Sequence, residues 1–599
     1  MADSEEIEEE SEQDPEDVEV PEEEPAAELV YRRQFFAELR RHLNYSLFAL
    51  ALMAIPVGIL AAYGTYGFRQ AFGLLGDWLH RDSGLGSGIQ QLLILIVGGL
   101  IFGWVLKRLN WDRFRTPAHV IVSVSEREGK IPLKDGIITA LADALSLGLG
   151  APVGRYGPAI FLGATLGSTI ARFFSLGKTS VNILLGCGVA AAISASFNAP
   201  IAGVIFAHEV IIGHFKLRAF APITMASVAA VAITRYHSHE YVALKLFDIN
   251  RDLNLWDYPI YLGIGVLASL FAIIYMAGIV HTGWLAQKSK LPLWSQPAIG
   301  ATIAGLIALG IPGILGLGDR TIQQILEQDI ANPSLGLSFL IVLGLGKLAG
   351  SIACLGFRMP GGSFSPAIFI GSILGAVIGF LVPTIDYQIA VLVGMGALVS
   401  SVMGAPLATI LIVFELTENY EAATAVMVGV VASNAIVTRY YARSFFHRQI
   451  TMWGIDISRP EEQRIMQAKR VGEVMEKGYL AVRPNRTVAE LRKLVKHGYR
   501  SEVFIIDENR KLLGQMSLTN LVIAEEPQTA EELAEFPEIW LKENDSVWSG
   551  FVSLENFEGV TVPVVNNAEE MELVGAVYAA DFVKTYRNAI KQSRDVNAS

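Results

Sequence analysis

Cysteine is nearly absent: Cys187 and Cys354 are the only two, each inside an apolar segment and far apart in sequence. Such a pair offers neither a disulfide framework nor a metal-ligand cluster, and no metal site is expected. Charge is also scarce. Charged residues make up 18% of the 599, hydrophobic residues 52%, and the mean hydropathy is +0.41, which sets the chain apart from ordinary soluble proteins of its size. The more polar C-terminal part holds no phosphate-binding loop, metal-ligand spacing or nucleophile–base arrangement, so neither an enzyme nor a nucleic-acid partner is expected.

What is present in quantity is apolar sequence of two lengths. LFALALMAIPVGILAAYGTYGF, IQQLLILIVGGLIFGWVL and YLGIGVLASLFAIIYMAGIV are near or above the length that crosses a bilayer. Between residues 45 and 442 many other runs are shorter and broken by Gly or Pro, which predicts discontinuous helices buried in protein or lining a polar cavity. The formal net charge of -12 comes mostly from the tail MADSEEIEEESEQDPEDVEVPEEEPAAE, which has no basic residue and reads as disordered. That tail has no apolar h-region, so it does not read as a signal peptide. Arg32, Arg33, Arg40 and Arg41 precede the first span and by the positive-inside rule put the N-terminus in the cytoplasm.

The apolar region is duplicated. GPAIFLGATLG (157–167) returns as SPAIFIGSILG (365–375), and APIAGVIFAHE (199–209) as APLATILIVFE (405–415), with offsets of 208 and 206 residues. Duplication in a transporter-like chain points to two pseudo-symmetric bundles with a ligand site between them. The turns VGRYGP and GGSFSP, each with glycines and a proline before an apolar helix, are the candidates for that site. Free N–H groups and the positive helix end at such a turn hold an anion by partial charge, whereas a lysine would bind too tightly for rapid release.

These residues resemble the CLC family of chloride channels and chloride/proton exchangers: GRYGP is similar to that family's GREGP, GGSFSP to GGxFxP, FNAPIAGVIFAHE to FNAPLAG and its acidic pair, and APLATILIVFELTENY to APLTGIVLVFELTxxY. The resemblance implies an all-α polytopic membrane protein of about 18 helices with an inverted internal repeat. It also implies a homodimer with one anion pathway per subunit, in the inner or plasma membrane with both termini cytoplasmic. Gly154, Arg155, Tyr156, Gly157 and Pro158, with Gly362, Ser363 and Phe364, become the expected anion pathway and gate.

Three departures bear on mechanism. Tyr156 stands where the resemblance implies a gating, proton-carrying glutamate; with an ordinary pKa of about 10, it neither competes as an anion nor cycles protons near neutral pH. Val210 stands where the internal proton relay is implied, beside Glu209, which with Glu415 reads as a helix-end cap, and His208, which reads as structural. The hydroxyl donors implied for the central anion fall on Phe114, with Thr116 nearby, and on Phe446, leaving mostly backbone amides of Gly154–Gly157, Ser363 and Phe364.

After residue 450 the chain changes to mixed charged and apolar blocks, an α/β pattern that resembles a pair of CBS modules. The expected organisation is a tail over 1–32, a membrane domain over 33–450 and a cytoplasmic CBS pair over 451–599. GQMSLTN offers Ser517 with Asn520, and GAVYAAD offers Tyr578 with Asp581, so each copy lacks one partner for a ribose. Adenine nucleotide stands as an alternative ligand there, behind a gating or dimer-stabilising role; no other cofactor is expected. The leading expectation is an uncoupled chloride channel. Its alternatives are a coupled anion/proton exchanger, a carrier of bicarbonate, nitrate or fluoride, and a nucleotide sensor.

Overall fold

The computed structural model describes residues 46–79, 87–126, 128–237, 253–327, 336–456, 460–495, 502–555 and 557–598. The acidic tail and the four arginines before the first span lie outside them. Eight helices form a first set: α1 (Leu47–Leu79), α2 (Ser87–Leu109), α3 (Pro117–Glu126), α4 (Leu133–Gly148), α5 (Tyr156–Phe173), α6 (Lys178–Phe197), α7 (Pro200–Phe206) and α8 (Leu217–His237). Eight more repeat the order: α9 (Tyr258–Lys288), α10 (Gln296–Gly310), α11 (Asp319–Leu326), α12 (Leu337–Gly356), α13 (Phe364–Leu381), α14 (Tyr387–Met403), α15 (Pro406–Thr417) and α16 (Tyr420–Tyr440). A final short helix, α17 (Phe445–Met452), runs just past the expected domain boundary.

In a bilayer every backbone polar group must be satisfied within the segment, which is why the apolar runs are helical throughout. Eight described segments are long and apolar enough to span, and α1, with 33 residues, and α9, with 31, exceed what a 30 Å core requires. The protein is a multi-pass integral membrane protein. Small residues set its closest helix contacts: a Cβ at Gly163 of α5 would strike the carbonyl of Gly188 in α6, and one at Gly371 of α13 would strike that of Gly394 in α14. The duplicated sequence thus makes the same contact twice.

The C-terminal part begins with α18 (Glu461–Ala468) and holds two units of one topology. The first has β1 (Leu480–Val482), α19 (Val488–Val495), β2 (Glu502–Ile506), β3 (Leu512–Ser517) and α20 (Leu518–Ile523); the second has β4 (Leu541–Lys542), α21 (Val547–Ser553), β5 (Thr561–Val565), β6 (Leu573–Tyr578) and α22 (Ala579–Ala598). In each, the first two strands are parallel, the last two antiparallel, and a bulge falls at the same place. The units join through Leu512 N–H to Met571 O (2.9 Å), Leu573 N–H to Arg510 O (2.9 Å), and an apolar seam that includes Phe504, Leu512, Val565 and Leu573. Arg464 of α18 reaches Glu126, the last residue of α3, at 2.9 Å.

Candidate functional site

The two glycine-rich turns meet. Gly154 N–H donates to Gly362 O at 2.7 Å and Gly362 N–H donates back to Gly154 O at 2.8 Å, an isolated antiparallel bridge. The close approach requires glycine, because a Cβ at Gly154 would lie 2.8 Å from Gly362 O. Behind the second turn, the buried Tyr275 hydroxyl donates to Ser363 O at 3.3 Å. This pairing corrects part of the sequence expectation. The Gly154 amide is spent on Gly362, and the Arg155 amide donates to Ser365 Oγ at 3.3 Å, so neither is available to an anion. Among the described residues no hydrogen bond takes the N–H of Gly157, Ser363 or Phe364, which lie in or just before the first turns of α5 and α13.

Tyr156 opens α5 and is 4% exposed. Its ring stacks on Phe197 at 4.2 Å between centroids and lies 4.8 Å from that of Phe364, while its hydroxyl accepts from the Arg155 guanidinium at 3.0 Å. Arg155 also pairs with Asp319, the first residue of α11, at 3.0 Å. On this side Arg155, Tyr156, Phe197, Asp319 and Phe364 share a cavity of about 40 Å³ with apolar residues of α14 and α15.

A second cavity of about 40 Å³ brings Phe114, Thr116, Gly362, Ser363 and Phe446 together, residues drawn from three distant parts of the chain. The turn separates the two cavities, with Ser363 lining one and Phe364 the other. Thr116 donates its hydroxyl to Gln449 Oε1 at 3.4 Å, and Phe114 and Phe446 are buried walls. Sequence reasoning missed Arg113, Arg358 and Gln449, which line the same space. The reading that mostly backbone amides remain for an anion is therefore incomplete, since two guanidinium groups stand beside them. Next to it lies a larger cavity of about 260 Å³ lined by Arg113, Arg115, His119, Lys130 and Asp135 among others, where Arg115 pairs with Asp135 at 3.2 Å.

Glu209 and Glu415 exchange roles across the repeat. The Glu209 carboxylate accepts from the Leu407 and Ala408 amides at the start of α15, at 3.1 and 2.9 Å. Glu415 accepts from the Ile201 and Ala202 amides at the start of α7, at 2.9 and 2.8 Å. Val210 is buried in the π-helical turn Ala207–Ile212, and neighbouring His208 is buried with Nδ1 3.1 Å from His214 O. Among the described residues no group of three metal-ligating side chains is present. Ser517 is the N-cap of α20, its hydroxyl accepting the Asn520 N–H at 3.1 Å, and Asp581 lies in the first turn of α22 after Tyr578 at the end of β6. By strand register Ser517 corresponds to Tyr578 and Asn520 to Asp581 in the two separate units.

Residues 98–438 match the family described as voltage gated chloride channel, and residues 471–526 match the CBS domain. The chain is 29% identical over 430 residues to the voltage-gated ClC-type chloride channel ClcB of Escherichia coli O81 (strain ED1a), covering 68% of this chain and 99% of that relative. ClcB of Shigella boydii serotype 18 (strain CDC 3083-94 / BS512) gives the same figures. Among solved structures it is similar in fold to a slow cyanobacterial Cl-/H+ antiporter (TM-score 0.60, 22% identity, 68% of this chain and 99% of that one). A CLC-type fluoride/proton antiporter gives TM-score 0.58 at 22% identity over 67% of this chain and 98% of its own. A eukaryotic CLC transporter gives 0.58 at 18% identity over 91% and 98%.

Proposed function

Because the chain belongs to the voltage gated chloride channel family, a family of anion transport proteins and not of enzymes, we propose that it is a passive, uncoupled chloride channel gated at Tyr156. The observation that carries this reading is the tyrosine packed against Phe197 and Phe364 in the wall of the cavity on the Arg155–Asp319 side, across the second turn from the other cavity. A carboxylate at that position could exchange a proton or carry a negative charge into the pathway; a phenol, with an ordinary pKa of about 10, stays protonated and neutral near neutral pH. An anion gathers in the basic 260 Å³ cavity and moves to the space below Ser363. There it meets the unused amides of Gly157, Ser363 and Phe364, and it passes when the ring leaves its stack. The Arg155–Asp319 pair at the far side moderates the positive charge, which favours release.

The proposal includes a homodimer with two parallel pathways, in the cell membrane with cytoplasmic termini. The paired CBS units take a gating or stabilising role through the Arg464–Glu126 contact at the end of α3, the helix that begins beside Thr116. Nucleotide binding at Ser517 or Asp581 is the secondary proposal for those units.

A second reading, a proton-coupled exchanger, is favoured by one observation. Asp143 on α4 is 1% exposed, and neither carboxylate oxygen has a hydrogen-bond partner among the described residues; the same holds for the hydroxyls of Thr139 and Ser146 on that helix. An ionised carboxylate there has nothing to offset its desolvation, so it is the group best suited to carry a proton. Reversal potentials in planar bilayers separate the readings: a channel stays at the chloride equilibrium potential when a pH gradient is added, and an exchanger moves with that gradient. If it moves, loss of the movement in Asp143→Asn assigns the carrier.

A further inference from the structure

We infer that the inner cavity is a seat for a small planar oxyanion, a monoanion presenting an O–X–O edge, held by Arg113 and Arg358; this rests on the anion-transport reading of the same pathway. Arg358 is 7% exposed. Its Nη1 donates to the Asp112 carbonyl, and its Nε, fully buried, has no partner among the described residues. The Asp112 carboxylate is 3.9 Å away but 90% exposed, so solvent screens it. Arg113 lines the same space and makes no hydrogen bond among the described residues, whereas the third nearby guanidinium, Arg115, is already paired with Asp135. The cavity therefore holds more cationic than anionic charge, with unspent N–H donors.

Guanidinium groups are planar forks. A spherical halide gains one point of contact from such a fork, while a planar oxyanion takes two parallel N–H···O bonds and is oriented by them. The remaining lining suits an oriented guest: Phe114 and Phe446 are dry walls, and Thr116, Ser363 and the Gln449 amide are polar points around the rim. The volume of about 40 Å³ exceeds the ~10–15 Å³ that one water requires. It fits a species of a few heavy atoms, the class of nitrate, bicarbonate and formate.

The test uses full-length protein in two formats. In liposomes, nitrate, bicarbonate and formate are each competed against chloride; in detergent, nitrate and chloride binding are measured by calorimetry. The expected result is nitrate binding at least about tenfold tighter than chloride, shared by the other two planar anions. Arg358→Lys and Arg113→Lys, which keep the charge and lose the fork, should each reduce that ratio roughly tenfold. Preference for chloride in the unaltered protein, or an unchanged ratio in both lysine variants, overturns the inference. If Arg358→Lys fails to assemble, Arg113→Lys decides alone. Absence of any anion flux with intact nitrate binding refutes the transport reading and leaves the seat standing.

Discussion

Tyr156→Ala should open the pathway, and the size of the effect follows from what holds the ring. Leaving its stack costs Tyr156 two aromatic contacts, with Phe197 and Phe364, worth about 1 kcal/mol each, and a hydrogen bond from a charged donor, Arg155, worth about 1.5 kcal/mol. The closed arrangement is thus favoured by about 3.5 kcal/mol, and at 1.4 kcal/mol per factor of ten the unobstructed variant should pass chloride about 300-fold faster. Tyr156→Phe removes only the hydroxyl and should give about a tenfold rise. The assay is chloride efflux from liposomes at equal protein density, with thermal unfolding of each variant as a control, since losing a buried aromatic also costs about 3 kcal/mol of stability. Equal flux in all three well-folded proteins, or the order reversed, would refute the idea that the ring obstructs conduction.

Tyr156→Glu should give flux that falls as pH rises above the carboxylate range, because the ionised group then competes with the anion; a flat pH profile in liposomes would contradict this. Glu209→Ala and Glu415→Ala each strip a pair of helix-start amides of their acceptor and should destabilise the membrane domain by about 1–2 kcal/mol apiece, read as similar drops in Tm. Markedly unequal drops would argue against equivalent roles in the two halves. In the C-terminal units, burial pushes the Glu502 carboxyl above its usual range, opposed by the Val560 and Thr561 amides. A raised acid favours the folded state most at low pH and loses that contribution as pH rises through its folded value. Glu502→Gln should therefore stabilise the full-length protein more at pH 8 than at pH 5 in thermal unfolding; the opposite order would show that Glu502 acts as a salt-stabilised anion instead.

The repeat and both turns were legible because they are carried by short contiguous motifs, and apolar runs of spanning length have essentially one solution in a bilayer. Phe114, Thr116 and Phe446, which the family resemblance assigns to the anion pathway, line one cavity. The mutual bonding of Gly154 and Gly362 was not legible, because it depends on how two halves, far apart in the chain, face each other. For the same reason, amides that look free in sequence are spent. Arg113 and Arg358 were not singled out because each reads locally as an ordinary basic residue in a connection between helices, and only folding brings them to one cavity. Asp143, a single acid in an apolar run, carries no motif either; its lack of a partner is a property of packing.

The measurement closest to the central claim records chloride and proton movement together, from liposomes holding the purified full-length protein under an imposed chloride gradient. A channel gated by Tyr156 passes chloride with no uphill proton movement. Proton transport against its gradient in fixed proportion to chloride would contradict the account and move attention from Tyr156 to Asp143.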